Sequence, residues 1–331
     1  MASENKPQNN QGFKARLKNF LNNNQFVVYL IIFILLIIIY LIASSSYFFP
    51  ELNKEEITVS AIMSDNKSYA TKNYVEAMEV AAIDNNYNIS ISYPIHPYNA
   101  SEQVKLLERE VEKGSDYIII NPISLPLLEK VDTASSEVIV LAGTNKDIAS
   151  KQVSSNYEEI SADFIDLLNH AVAKDKAKQE LSIFISSKTT NKEEELLELV
   201  STAYKDKYKQ EANIVRLNYD RSLENLLKSY AGGSFLALDA DALNYLASIK
   251  ANASYLDTTY LMGMGHNPKV VQYLKSGYID TFIAEDYYNL AYKAIESIAS
   301  DEDKLELDHR IINSSNVDSF TNEIYLFPLF Y

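Results

Sequence analysis

Nine polar residues stand where a folded chain can grip a small molecule: Asp65, Asn66, Tyr69, Asn121, Asn145, Asn156, Arg221, Asp239 and His266. Each closes or follows a short strand-like run. Side chains of these types supply fixed donors, acceptors and an aromatic face, which is what recognition of a polar ligand in a cleft requires. The planar guanidinium of Arg221 suits vicinal hydroxyls or a carboxylate. A capping role competes with ligand contact, because short Asn and Asp side chains also satisfy the free N–H groups at helix starts, as Asp239 can just before Ala242.

Bond-breaking chemistry finds less support. His96, His170, His266 and His309 lie far apart and form no metal-binding pattern. The chain has no cysteine, no G-x-S-x-G and no glycine-rich phosphate loop behind its first strand. Glu193-Glu194-Glu195 reads as the acidic, solvated first turn of a helix. We therefore expect no catalytic residues, no metal and no cofactor. Without cysteine there are also no disulfides, so packing alone must stabilise the fold. A net charge of −15 and a pI near 4.8 argue against nucleic acid as a partner.

The elements that must position these groups follow from hydrophobic pattern. Strands are expected at Ile57–Met63, Asn88–Ile95, Asp116–Pro122, Glu137–Gly143, Gln152–Ser155, Leu181–Ser186, Asn213–Asn218, Ser234–Asp239, Thr258–Met264 and Asp280–Asp286. Between them run helical patterns, including Tyr69–Asn85, a helix capped by Ser101 and stopped at Gly114, Leu125–Ser135, Glu158–Lys174, Lys192–Tyr208, Ala242–Lys250, Pro268–Ser276 and Tyr288–Ser300. Apolar strands alternating with helices specify an α/β fold with parallel sheets. In such sheets ligands bind beyond the carboxyl ends of the strands, which places function in the loops after Met63, Ile120, Leu141, Asn218, Leu238 and Met264.

Ahead of this body, Phe26 to Ala43 carries no charge, Gly or Pro. Eighteen helical residues reach roughly 27 Å, close to the ~30 Å hydrocarbon core of a bilayer. Lys6, Lys14, Arg16 and Lys18 against Glu4 give residues 1–25 a net charge of +3, so the remainder carries −18 of the total of −15. Positive flanks stay inside, which predicts a cytoplasmic tail at 1–25, a transmembrane signal-anchor helix at 26–43, a linker at 44–56 and an extracytoplasmic body in the cell membrane's outer space. The alternative is a cleaved signal peptide ending near Ala43-Ser44-Ser45.

The runs Tyr117–Ser124 (YIIINPIS), Ser154–Leu168 (SSNYEEISADFIDLL) and Leu261–Ile298, in this order, resemble the type I periplasmic binding proteins over about Ile57 to Asn316. The resemblance implies two Rossmann-like lobes joined by a three-crossing hinge near Ser155, Thr281 and Leu305. Lobe 1 would comprise 57–155 plus about 282–304, and lobe 2 would comprise 156–281 plus about 305–331. It also implies a cleft that closes on a sugar-like ligand, for uptake with an ABC permease or for sensing with a histidine kinase. Two departures stand out. Gly265-His266 replaces the Asp usual in family sugar sites, and Gly143-Thr144-Asn145 replaces a common Asp-Arg pair. Aromatic residues after the first strand are reduced to Tyr69 and Tyr74. These departures leave open a degenerate fold that serves as a surface interaction module.

Overall fold

The computed structural model describes residues 25–43, 57–133, 136–143, 148, 150–218 and 222–328. They form two units, the first within residues 1–56 and the second from Ile57 onward. In the first, α1 (Gln25–Ala43) is a helix of 19 residues. Its described apolar side chains, from Val27 to Ile42, are all exposed. Among the described residues, no helix is long and apolar enough to cross a membrane. The expected tail at 1–24 and linker at 44–56 lie outside the described residues.

In the second unit, β1 (Thr58–Ile62), α2 (Tyr69–Asn85), β2 (Asn88–Ser92), α3 (Ala100–Glu112), β3 (Tyr117–Ile120), α4 (Leu125–Leu128), β4 (Glu137–Leu141) and β5 (Lys151–Ser155) build the first lobe. Then come α5 (Tyr157–Ala173), β6 (Leu181–Ser186), α6 (Asn191–Tyr208), β7 (Asn213–Leu217), α7 (Ser222–Ser229), β8 (Ser234–Ala237), α8 (Ala240–Lys250), β9 (Tyr260–Met264), α9 (Pro268–Lys275) and β10 (Thr281–Glu285). The chain ends with α10 (Tyr287–Glu296), β11 (Lys304–Leu307), β12 (His309–Asn313) and α11 (Phe320–Leu326). The first sheet has the order β11-β5-β4-β3-β1-β2 and the second β12-β10-β9-β8-β6-β7. All pairings are parallel except β10 with β12.

Continuous apolar strands are buried on both faces, and period two divides their side chains between the faces. In β3, Ile119 joins one core with Val59, Ala61 and Ile139, while Ile118 and Ile120 join the other with Val138 and Val140. The second sheet repeats this, with Phe184 and Phe235 on one side and Ile183, Ile185 and Leu236 on the other. Gly263 in β9 has a packing reason, since a Cβ there would sit 2.8 Å from Leu243 of α8 and 2.9 Å from the Ala237 carbonyl.

Several expectations are corrected. Asn99, not Ser101, caps α3 by accepting from Glu102 N. Lys113 and Gly114, with φ at +76°, close that helix. The expected helix Leu125–Ser135 is a single turn, Leu125–Leu128. The hinge also moves. β10 pairs with β9 and β12 through Glu285, so the second crossing falls between Glu285 and Tyr287 rather than near Thr281. α10 then packs along α2 in the first lobe. β11 pairs with β5 up to Leu307↔Ser155, and β12 begins at His309, so the third crossing is at Asp308 rather than near Leu305. An apolar run such as Phe282–Ala284 is buried in either sheet, so pattern alone does not assign its lobe.

Candidate functional site

The carboxyl ends of both sheets face a cavity of about 100 Å³ between the lobes. The first lobe lines it with Asp65, Tyr69, Tyr74, Tyr98, Asn121 and Tyr287, and the second with Lys188, Lys192, Glu193, Asp239, Asp241 and His266. The lobes also touch directly, since Asn191 N donates to the Pro122 carbonyl at 2.9 Å.

Two carboxylates on the wall are held by donors of their own chain. Asp65, 2% exposed, accepts from Lys67 N and Ser68 N at 2.6 Å, Ser68 Oγ at 2.8 Å, Thr71 Oγ1 at 2.9 Å and Tyr98 Oη at 3.2 Å. Burial alone would raise its pKa, but the Ser68 and Lys67 donors outweigh that and hold it below the ordinary value. Asp239 caps α8 through Ala242 N at 2.8 Å and takes both Ser186 N at 2.8 Å and Ser186 Oγ at 2.7 Å. Here burial wins over the three donors and pushes the pKa up to about 6.

His266 is fully enclosed, 2% exposed, with its ring stacked on Tyr287 at 4.6 Å and an interplanar angle of 4°. Its Nε2 lies 3.1 Å from the Leu326 carbonyl. A carbonyl only accepts, so Nε2 carries the proton and Nδ1 is a bare acceptor. Among the described residues nothing partners that Nδ1, nor the buried Tyr74 Oη. Burial pushes the imidazole pKa down to about 3. The preceding Gly265 has φ at +82°, the left-handed region, and a Cβ there would meet Tyr287 Oη at 3.1 Å and Ala240 N at 3.2 Å.

Beneath the cavity lies an ion cluster. Lys192 Nζ is 2.9 Å from Glu285 Oε2 and 3.4 Å from Glu193 Oε1, and its ammonium lies 5.9 Å from the Tyr287 ring centroid. Tyr157 Oη donates to Glu285 Oε1 at 3.4 Å. Burial disfavours the charged Lys192, but Glu285 and Glu193 more than compensate and hold its pKa well above the ordinary value. Glu285 sits at the second hinge crossing, so the cluster ties a helix start in the second lobe to the hinge.

Of the nine sequence candidates, Asp65, Tyr69, Asn121, Asp239 and His266 converge on the cavity. Asn121 directs Nδ2 to the Leu141 carbonyl at 3.2 Å. Asn66 is exposed and outside the lining, and Asn156 caps α5 by accepting from Glu159 N at 3.0 Å. Asn145 and Arg221 lie outside the described residues. Glu193 corrects the reading of its helix turn as solvated, because it is only 8% exposed and forms a capping box with Thr190. Lys188, Lys192, Glu193, Tyr98 and Tyr287 were missed. The strand-end rule finds them when it is extended to the carboxyl ends of β6, β2 and β10.

The fold is shared with solved binding proteins. A carbohydrate transporter solute binding protein from Agrobacterium radiobacter, in complex with D-arabinose, superposes with a TM-score of 0.71 at 16% identity, covering 83% of this chain and 100% of that one. A glucose-galactose binding protein from Geobacillus stearothermophilus gives 0.68 at 15%, covering 80% and 100%. An ABC transporter solute binding protein from Bacillus halodurans with bound myo-inositol gives 0.66 at 16%, covering 81% and 98%. No curated protein matches the sequence. The family model described as a periplasmic binding protein domain matches residues 59–300. That is a family of binding proteins rather than enzymes, and this chain belongs to it.

Proposed function

We propose that this protein is a membrane-tethered extracytoplasmic receptor whose lobes close on a neutral, hydroxyl-rich small molecule such as a sugar or cyclitol. The observation that carries the reading is the convergence of polar groups from both lobes on one interlobe cavity, at the carboxyl ends of both sheets. D-arabinose and myo-inositol, bound in two of the similar structures, are of this class. Asp65, Tyr69, Asn121, Asp239 and His266 are proposed as the cleft groups, with Asn66, Asn145, Asn156 and Arg221 as second-rank candidates. In the sequence, the uncharged run Phe26–Ala43 and the basic residues before it support a spanning anchor with the body outside. A chain without cysteine has no thioether site for a lipid anchor, and a spanning tether favours sensing beside a histidine kinase over delivery to an ABC permease.

One observation favours a second reading, a degenerate lobe pair that serves as an interaction module. The cavity is about 100 Å³, whereas ligand pockets run to several hundred. A thermal-shift screen of the unit from Ile57 to Tyr331 against pentoses, hexoses and cyclitols separates the two. Ligand at 100 times Kd adds about 2.7 kcal/mol to folding stability, a shift of several degrees. If no compound moves the transition, the interaction module stands.

A further inference from the structure

Helix α11 and the residue after it reach two residues of the cleft wall. Tyr69 Oη, in the first lobe, donates to the Leu326 carbonyl at 2.8 Å. His266 Nε2, in the second lobe, reaches the same oxygen at 3.1 Å. The Phe327 ring lies edge-on to Tyr69, with centroids 6.3 Å apart. From the residue before, Tyr325 Oη donates to the Ala284 carbonyl at 3.2 Å and to that of Asp308 at 3.1 Å, beside the second and third hinge crossings. Arg310 stacks its guanidinium 4.4 Å from the same ring. Leu326 itself is fully buried.

The last carbonyls of any helix need partners from outside it. Here one carbonyl takes its two donors from different lobes, and both donor residues line the cavity. Two converging neutral donors beside an aromatic ring are what a hydroxyl or carbonyl oxygen of an uncharged ligand meets in a binding cleft. We propose that Tyr69 and His266 form a two-donor subsite for an acceptor oxygen, and that the C-terminal segment occupies it in cis and thereby holds the lobes together without a ligand. The Leu326 carbonyl is not part of the cavity lining, so it holds the two donors from behind the wall, and a ligand that draws either donor into the cleft must break that bond. Being tethered, the carbonyl competes at a high effective concentration, so a ligand must displace it to gain both hydrogen bonds. The inference rests on the interlobe cleft but not on which ligand fills it.

Because the chain has no cysteine, Lys67→Cys with Lys269→Cys places one spin-label pair on exposed positions beside lining residues of opposite lobes. In the full-length chain in detergent micelles, adding Tyr69→Phe and Phe327→Ala is expected to lengthen and broaden the interlabel distance by several ångströms. A labelled chain ending at Asp318 should show the same change, and a synthetic peptide of residues 319–331 should reverse it in trans. An unchanged distance distribution in the point variants overturns the proposal, whether or not the shortened chain folds. A peptide that binds without restoring the short distance overturns it as well. Failure of every sugar to bind leaves these distances intact and counts instead against the proposed ligand class.

Discussion

His266 makes a sharp prediction about acid. Its native pKa is pushed down to about 3, while an unfolded imidazole titrates near 6.5. A depressed native pKa contributes stability that is present above about 6.5 and lost as pH falls toward 3. Between pH 7 and pH 5 the unfolded state takes up nearly one proton that the native state refuses, which removes about 2 kcal/mol. Asp239 works in the opposite sense over the same interval. Its native pKa is raised to about 6 from 3.8, so its contribution is complete below 3.8 and disappears as pH rises through 6. Going from pH 7 to pH 5 therefore returns about 1 kcal/mol from Asp239. The wild-type unit, residues 57–331, should lose only about 1 kcal/mol from these two groups combined. His266→Phe keeps a ring against Tyr287 and removes the titration. It should start lower at pH 7, by about 1 kcal/mol for the lost Leu326 hydrogen bond, but gain stability as pH falls to 5. Urea unfolding at pH 7, 6 and 5 reads this directly, and other titrating groups cancel in the difference between the two proteins. Parallel pH profiles for wild type and variant would refute the claim that His266 is a buried neutral imidazole.

Other substitutions test the remaining parts of the site. Lys192→Met strands Glu285 in the interior and should cost about 3–5 kcal/mol in urea unfolding, whereas Lys192→Met with Glu285→Gln should recover much of it. A Lys192→Met variant as stable as wild type would show that the pair is not buried as described. Asp239→Ala removes the α8 cap and the partner of Ser186, and a loss of about 1–3 kcal/mol without ligand is expected. Stability unchanged in that variant would return Asp239 to a pure ligand role. Gly263→Ala drives a Cβ into Leu243 and the Ala237 carbonyl, and a melting temperature lowered by several degrees is the expected result.

What was legible in the sequence, and what was not, divides along contact distance in the chain. Strands such as Tyr117–Ile120 declare themselves because burial on both faces demands an unbroken apolar run. Asp239 and Asn156 are readable as caps because the cap and the N–H it satisfies lie three residues apart. The helix expected after Leu125 stops after one turn, with Glu129 as its C-cap, ahead of Asp132 and Thr133, which are weak helix formers. Nothing local could reveal the Lys192–Glu285 pair, whose partners are 93 residues apart, or the Tyr69–Leu326 bond across 257. Those contacts exist only once two sheets have formed and the last helix has returned to the hinge. The acidic run at 193–195 shows the limit most clearly. Its period gives a helix start, but not that Glu193 turns back onto Thr190 and pairs with the buried Lys192, which makes it an interior group.

The central claim is that the interlobe cavity binds one small neutral polyol. Calorimetric titration of D-arabinose and myo-inositol into the unit from Ile57 to Tyr331 tests it most directly, alongside the variants Lys188→Ala and Asp241→Ala, which change cavity-lining side chains. The account predicts one saturable site for at least one of these compounds, weakened tenfold or more in at least one variant, about 1.4 kcal/mol, with the unliganded melting temperature unchanged. No heat of binding from either compound would contradict it.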